Sequence, residues 1–580
     1  MPRTTLLALS LSLALLAGCG DADSKTDTPA ADVLIVNARI HTEDPDRPTA
    51  SAMAIRNGRL LAVGETAELA SLQGPATRVE DLDGRFVMPG LIDAHAHPAW
   101  GGVIARFYCL FPATAAPDAV KAVVEGCVQA APADAAWIQG GLWTPTFFER
   151  FDIASPRRWL DAISGDKAIV LKDDSGHNAW VNSKALALLG IDETTVAPPG
   201  TIYQKLRDRD ELDGLLLDAF AALVDQLPAW TEEDYVEGAR YALQDAARHG
   251  ITGWKDASAS ETELAAYRRL DTHDELSAHV VACVHDSSLR GNPTALVARL
   301  VALRDRYAGR HLDTHCAKLF MDGVPTTART AAMLAPYQPD VEGDPPTTGN
   351  LLIPTDELIA TLSGLDAAGF TVKIHTAGDG SVHETLNALE AVRRTNGNSG
   401  LRHELAHAGF VDDTDIPRFA ALGAVADLSP YLWFPSPIIE SVRKALGERG
   451  LHYWPNRTLL DAGTPLLAGS DWPSVAEDMN PWIGLETLVT RRAPNGDYPG
   501  VDSPEQALSV AEAVHIFTVD NARALGLGDS AGMLAPGRLA DFVVLDRNIL
   551  TVPPETISET RVLQTWFEGL RVYAAEAPAD

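Results

Sequence analysis

Two histidines one residue apart, His95 and His97, close the apolar run GLIDAHAH, and four later apolar runs end in residues of related chemistry: Lys318 in KLFMDG, His375 in VKIHTAGD, His407 in ELAHAG and Asp471 in LLAGSD. Imidazole nitrogens and carboxylate oxygens are ligands for divalent metals. A strand repeats every two residues, so His95 and His97 share a face and can grip one ion together. Four imidazoles and a carboxylate suit zinc best, with iron and manganese tolerated. Such an ion brings the pKa of a bound water down to about 7, so the chemistry this set points to is hydrolysis.

Side chains from five separated stretches reach one ion only if strands converge. Candidate strands lie at 91–95, 250–256, 276–284, 315–321, 370–375, 402–407, 423–429 and 464–470, and helical patterns such as 357–369 and 382–394 separate them. Eight strands alternating with helices predict an α/β fold, a (β/α)8 TIM barrel over 91–522, whose C-terminal strand ends carry the site. The gap between the first two strands is too long for a crossover and predicts an inserted α/β subdomain at 105–248. Residues 33–90 alternate apolar and polar positions as short antiparallel strands, and a similar texture fills 523–580. Neither end can bury its apolar face alone, so the two are expected to form a composite β-sandwich.

The chain has 580 residues, 46% of them hydrophobic, and a formal charge of −32. That charge repels phosphate backbones, which argues against a nucleic-acid partner. Arg3 followed by an apolar run from Leu6 to Ala17 reads as a secretion signal too short to span a bilayer. Leu16-Ala17-Gly18-Cys19 resembles a bacterial lipobox, so 1–19 is expected to be a lipoprotein signal with acylated Cys19, and 20–32 a flexible tether. The expected address is the bacterial cell envelope, lipid-anchored and facing the periplasm; the competing reading is a plain signal peptide with an incidental cysteine. Disulfides are permitted there, and Cys109 with Cys127 is the expected pair.

The segments FVMPGLIDAHAHP and GSDWP resemble the amidohydrolase superfamily. SGHNAWVNSKAL (175–186), KLFMDGVPTTARTAAMLAPY (318–337), IHTAGDGSVHETLNALE (374–390), RHELAHAGFVDDTDIPRFAALG (402–423) and GMLAPGRLADFVVLDRN (532–548) resemble its YtcJ-like branch, amidohydrolase family 3, from residue 33 to the end. The resemblance implies that His375 and His407 are the ligands of the fifth and sixth strands. It implies a carbamate on Lys318 bridging two metals about 3.5–4 Å apart, against a lysine that serves structure or substrate. It makes Asp471 the general base and a secondary ligand, the competing reading being a helix cap. His177 either polarises the substrate carbonyl or orders its loop. Asp322, Arg329 and His403 are expected to support the site from outside.

Aromatic residues in predicted rim segments, Trp143, Phe147, Tyr431, Trp433 and Trp472, are expected to line a pocket for an apolar group. Together these readings predict a metal-dependent amidohydrolase, carrying one or two ions, that splits a non-peptide C–N bond in a small amide, formamide or cyclic amide. An ester or dipeptide hydrolase on the same site is the alternative within enzymes. A non-catalytic surface binding protein is the alternative outside them. Oligomeric state is left open.

Overall fold

Short runs rich in valine, isoleucine, leucine and alanine form eight parallel strands: β1 (Leu91–Ala96), β2 (Ile251–Ala259), β3 (His279–Val284), β4 (Leu312–Phe320), β5 (Thr371–Thr376), β6 (Glu404–His407), β7 (Val425–Leu428) and β8 (Leu466–Ala468). The computed structural model describes residues 30–576 apart from 113–114, 134, 145–146, 174–177, 199–200, 218, 221–222, 224–225, 327, 340–342, 344, 475 and 497. The expected signal, Cys19, most of the expected tether and His177 therefore lie outside the described residues. None of the helices in the described residues is long and apolar enough to cross a membrane.

The strands pair in sequence from β1 to β8 in one sheet curled into a barrel, and helices cover its outside. The seam between β1 and β8 is closed mainly by a side chain. Asn521 donates from Nδ2 to Ile92 O (2.6 Å) and Ala468 O (2.8 Å) and accepts from Ala468 N through Oδ1 (3.2 Å). Just above, Asp471 N donates to His95 O (2.7 Å) and His97 N to Trp472 O (2.8 Å). Gly469 makes the approach possible, since a Cβ there would stand 2.3 Å from His95 N. Ile92, Val281, Cys283 and Cys316 form the barrel floor with Ala522, Leu525 and Leu539, and a disulfide joins Cys283 of β3 to Cys316 of β4.

The insertion is a six-stranded mixed sheet from Cys109–Leu110 to Leu212–Leu217, with helices on it and a Cys109–Cys127 disulfide. Its boundary differs from the expected 105–248. Helix Glu232–His249, started by a Thr231/Asp234 capping box and ended by Gly250 at φ 86°, belongs to the barrel's outer layer. It packs along helix Pro98–Phe107 at a crossing where a Cβ on Gly102 would fall 1.8 Å from Gly238 O. Strand Ala179–Val181 is followed by helix Ser183–Leu189, which starts where Asn182 accepts from Ala185 N.

The sandwich is composite in a different way from the one expected. One sheet of four strands comes wholly from the N-terminal segment, and the other joins strands Arg39–His41, Thr49–Ala50 and Phe86–Pro89 side by side with three C-terminal strands, Phe86–Pro89 pairing with Phe542–Leu545. Val33–Val36 pairs with Arg78–Asp81 in parallel, as does Arg39–His41 with Phe86–Pro89, so the segment is not uniformly antiparallel. Met53, Ile55, Val87, Phe542 and Trp566 fill the space between the sheets. Residues near 523 belong to the barrel floor rather than to the sandwich, because Ala522 and Leu525 bury their side chains there.

Glu43 ties the sandwich to helix Val510–His515, accepting from His41 Nε2 (2.6 Å) and His515 Nδ1 (2.7 Å). Burial opposes ionisation of Glu43, but these two hydrogen bonds outweigh it and hold the carboxyl down at about 2, against 4.5 unperturbed. The bond from Glu43 raises His515 above 6.5. Glu43 therefore stabilises the fold above pH 4.5, an effect lost as pH falls toward 2, while the His515 contribution is complete below pH 6.5 and lost as pH rises through its folded value. Glu43→Gln is expected to cost about 1–2 kcal/mol near pH 5.5 and less at pH 3 or pH 9, read from urea unfolding. An equal cost at all three pH values would contradict this assignment.

Candidate active site

The described residues place His95, His97 and Asp471 together at the C-terminal mouth of the barrel. His95 Nε2 lies 3.5 Å and His97 Nε2 3.3 Å from Asp471 Oδ1, and one ligand atom from each of the three residues falls within 4.8 Å of the other two. His407 and His375 complete an arc: ring centroids are 4.9 Å apart for His95 and His407 and 4.6 Å for His375 and His407. Lys318 joins the same cavity from β4, with Nζ 4.8 Å from the Phe320 ring centroid.

Two of these residues sit on unusual backbone. His407 has φ 71° and Asp471 φ 56°, a left-handed conformation that non-glycine residues adopt at a cost of about 1–3 kcal/mol. Surrounding bonds hold it. Trp454 donates from Nε1 to His407 O (2.5 Å) and from its backbone N to Gly409 O (2.7 Å), while Asp471 N is fixed on β1.

Beneath the mouth runs a chain of buried charges that the sequence reading missed. His95 Nδ1 donates to Asp427 Oδ2 (2.7 Å) on β7. Asp427 also receives Lys373 Nζ from β5, Lys373 reaches Glu404 Oε2 (2.8 Å) on β6, and Glu404 receives Lys255 Nζ from β2. All four side chains are at most 2% exposed. Burial pulls the Lys255 ammonium below its ordinary value, whereas at Lys373 the carboxylates of Asp427 and Glu404 outweigh burial and raise it. Asp93 accepts from His95 N (2.9 Å) and Ser470 N (3.2 Å), and its burial pushes the carboxyl up to about 7. A signal was present in the sequence, since each of these charges interrupts an otherwise apolar strand.

The electrostatics suit a cation. With Nδ1 committed to Asp427, His95 presents Nε2, which is buried and has no hydrogen-bond partner among the described residues. Burial drives His95 and His375 below 6.5 and His407 to about 3, so all three are neutral and able to donate lone pairs. Burial works against ionisation of Asp471, but the bond with His97 and the nearby His95 and His407 hold its carboxyl far below the usual range. Lys318 falls to about 8, through burial first and the positive Lys373 second. Two or more imidazoles and a carboxylate around one point fit a borderline divalent ion.

The other expected residues fall as follows. Asp322 is a buried hub that accepts from Ala377 N (3.0 Å), Gly378 N (2.9 Å), Ala332 N (3.0 Å) and Ser381 Oγ (2.7 Å), which orders the loops after β4 and β5. Arg329 donates to Gln338 O (3.0 Å). His403 supports no ligand directly: it bonds Asp366 Oδ1 (3.1 Å) of helix Thr355–Ala367 and accepts from Val372 N (3.2 Å), on the helix side of the sheet.

The aromatic pocket is a correction. A cavity of about 1030 Å³ opens over the histidines, and its apolar wall consists of Phe320, Val324, Leu432, Ile438, Tyr453 and Trp454, with Thr326, Thr330 and Ser474 among its polar positions. Trp143, Phe147, Tyr431, Trp433 and Trp472 are each at most 7% exposed and pack as core. Trp143 and Phe147 stack with Phe148 and Trp180 inside the insertion, Tyr431 bonds Asn480 O, Trp433 lies under Arg491, and Trp472 fills the space beside Gly101. Trp143→Ala is accordingly expected to cost about 3–5 kcal/mol in urea unfolding, with KM unchanged below the transition; a raised KM at unchanged stability would restore Trp143 to the pocket.

The Amidohydrolase family model matches residues 78–573. Protein LONG AFTER FAR-RED 3 of Arabidopsis thaliana is 31% identical over 559 residues, covering 94% of this chain and 92% of its own. An N-substituted formamide deformylase of Arthrobacter pascens is 27% identical over 569 residues, covering 94% and 99%. Among solved structures, an uncharacterized metal-dependent hydrolase from Pyrococcus horikoshii superposes with a TM-score of 0.71 at 25% identity, over 90% of this chain and 99% of that one.

Proposed function

This chain belongs to the amidohydrolase family, and on that premise we propose that it is a zinc enzyme hydrolysing a small, non-peptide amide, a formamide or cyclic amide among them, with Asp471 as the general base. Membership makes the protein a metal-dependent hydrolase acting on C–N bonds. The observation that carries the finer reading is the convergence of His95, His97 and Asp471 under a cavity of about 1030 Å³, with His95 held by Asp427 so that one bare nitrogen faces the site.

His95, His97, His375, His407 and Asp471 would hold the metal, with a carbamate on Lys318 as the bridge if two ions are bound. A divalent ion held there supplies a water acidified toward a pKa of about 7 and polarises a carbonyl. Asp471 accepts the proton from the attacking water and delivers it to the leaving nitrogen. Tyr453, Trp454, Phe320 and Ile438 bury the apolar part of the substrate and exclude water from the carbonyl. A buried amine near pKa 8 has a far larger free-base fraction at neutral pH than an ordinary lysine, and the free base is the form that reacts with carbon dioxide. His177, beside the cavity-lining Asn178, is retained as a candidate for carbonyl polarisation. Lipidation at Cys19 and a periplasm-facing anchor belong to the same proposal, supported by the LAGC motif alone.

The test is elemental analysis of purified protein together with a panel of N-substituted formamides, acylated amino acids and aryl esters, before and after chelation. Bound zinc with amide hydrolysis that chelation abolishes and zinc restores is the expected result. Turnover of esters alone would move the assignment to an esterase. Metal-free protein that binds ligands specifically without turnover would make it a binding protein.

A further inference from the structure

In a chain with 79 carboxylate side chains and 47 lysines and arginines, cations find carboxylate partners easily. Lys172 is an exception. It lies on insertion strand Ala168–Asp173, half-buried, and its ammonium has no hydrogen bond or ion pair among the described residues. Two aromatic rings flank it instead: Nζ is 5.8 Å from the Trp100 ring centroid and 5.7 Å from that of Phe220. The neighbouring Asp173 points its carboxylate at Asn178, accepting from the backbone N (3.0 Å) and Nδ2 (2.7 Å).

The position is next to the site. Trp100 follows His97 on helix Pro98–Phe107, and their ring centroids are 6.4 Å apart. Lys172 pairs with Ala179 across the sheet, and the residue before Ala179, Asn178, lines the cavity. Burial pulls the Lys172 ammonium below its ordinary value, and the charge of the neighbouring Asp173 offsets this only in part. Such a group gains most when an anion arrives, because the attraction acts in a partly water-excluded setting. The flanking rings favour the charged form.

We infer that Lys172, between Trp100 and Phe220, is the anion-accepting end of the substrate site, so that the preferred amide carries a carboxylate in addition to the scissile carbonyl. A single ammonium with no arginine fork beside it matches one negative charge, which favours carboxylate over phosphate. This inference rests on the hydrolytic reading for its substrate class.

The test compares N-formylphenylalanine with N-formylphenethylamine, which differ only in the carboxylate, on zinc-loaded wild type, Lys172→Met and Lys172→Arg. Wild type is expected to favour the anionic compound by about ten- to a hundredfold in kcat/KM. Lys172→Met should abolish the preference through KM and leave the neutral compound unchanged, while Lys172→Arg keeps most of it. Unaltered preference in Lys172→Met, or an equal loss for both compounds, overturns the inference. Calorimetric dissociation constants for N-acetylphenylalanine and N-acetylphenethylamine separate this outcome from failure of the hydrolytic reading. A binding preference that depends on Lys172 without turnover upholds the subsite and removes the reaction. No binding preference in wild type removes the subsite, whether or not amides are cleaved. Melting temperatures confirm that each variant is folded.

Discussion

Asp427→Asn is expected to weaken zinc binding by about ten- to a hundredfold, measured by competition with a chromophoric chelator. Asp427 orients His95 by accepting from Nδ1, and the same carboxylate neutralises Lys373. Asparagine keeps an acceptor for His95 but removes the charge. Lys373 then retains only Glu404, which it shares with Lys255. Asp427→Ala removes both functions, and breaking a buried pair in this way costs about 3–5 kcal/mol, a large share of the roughly 5–15 kcal/mol that holds a domain together. Zinc affinity equal to wild type in folded Asp427→Asn would show that His95 is oriented by something else.

Asp471→Asn separates two roles of one side chain. Its oxygen still faces His95 and His97, so metal content is expected to stay within about twofold of wild type. The ability to take up a proton is lost, and kcat for a good amide substrate should fall by about 10²–10⁴. Stoichiometric loss of zinc with no further defect after reconstitution would make Asp471 a ligand and leave the base to be found elsewhere.

Much of this arrangement was legible in the amino-acid order. The eight strands are mostly apolar runs, and each expected strand overlaps an observed one. His95, His97, Lys318, His375, His407 and Asp471 all reach one cavity because strand ends in a barrel converge. The pocket wall was not legible. Trp143 ends a strand and Trp454 lies in a loop, and only the path of the chain puts one in a subdomain core and the other in the cavity wall with His95, His97 and His407. The charge chain failed for another reason. Lys255 and Glu404 are 149 positions apart, and nothing in either neighbourhood names the other. Helix Glu232–His249 was assigned to the insertion because it follows it in sequence, whereas its packing partner, Pro98–Phe107, precedes it by more than a hundred residues.

Asn521 fastens the one place where the circle of strands lacks a regular backbone ladder, and His95, His97 and Asp471 sit on either side of that fastening. Opening of that seam is therefore expected to part His95 and His97 from Asp471. An ion that bridges β1 to the end of β8 acts as a second rivet on that event, and amide hydrogens from Ala468 to Asp471 should exchange more slowly in the loaded protein than in the stripped one.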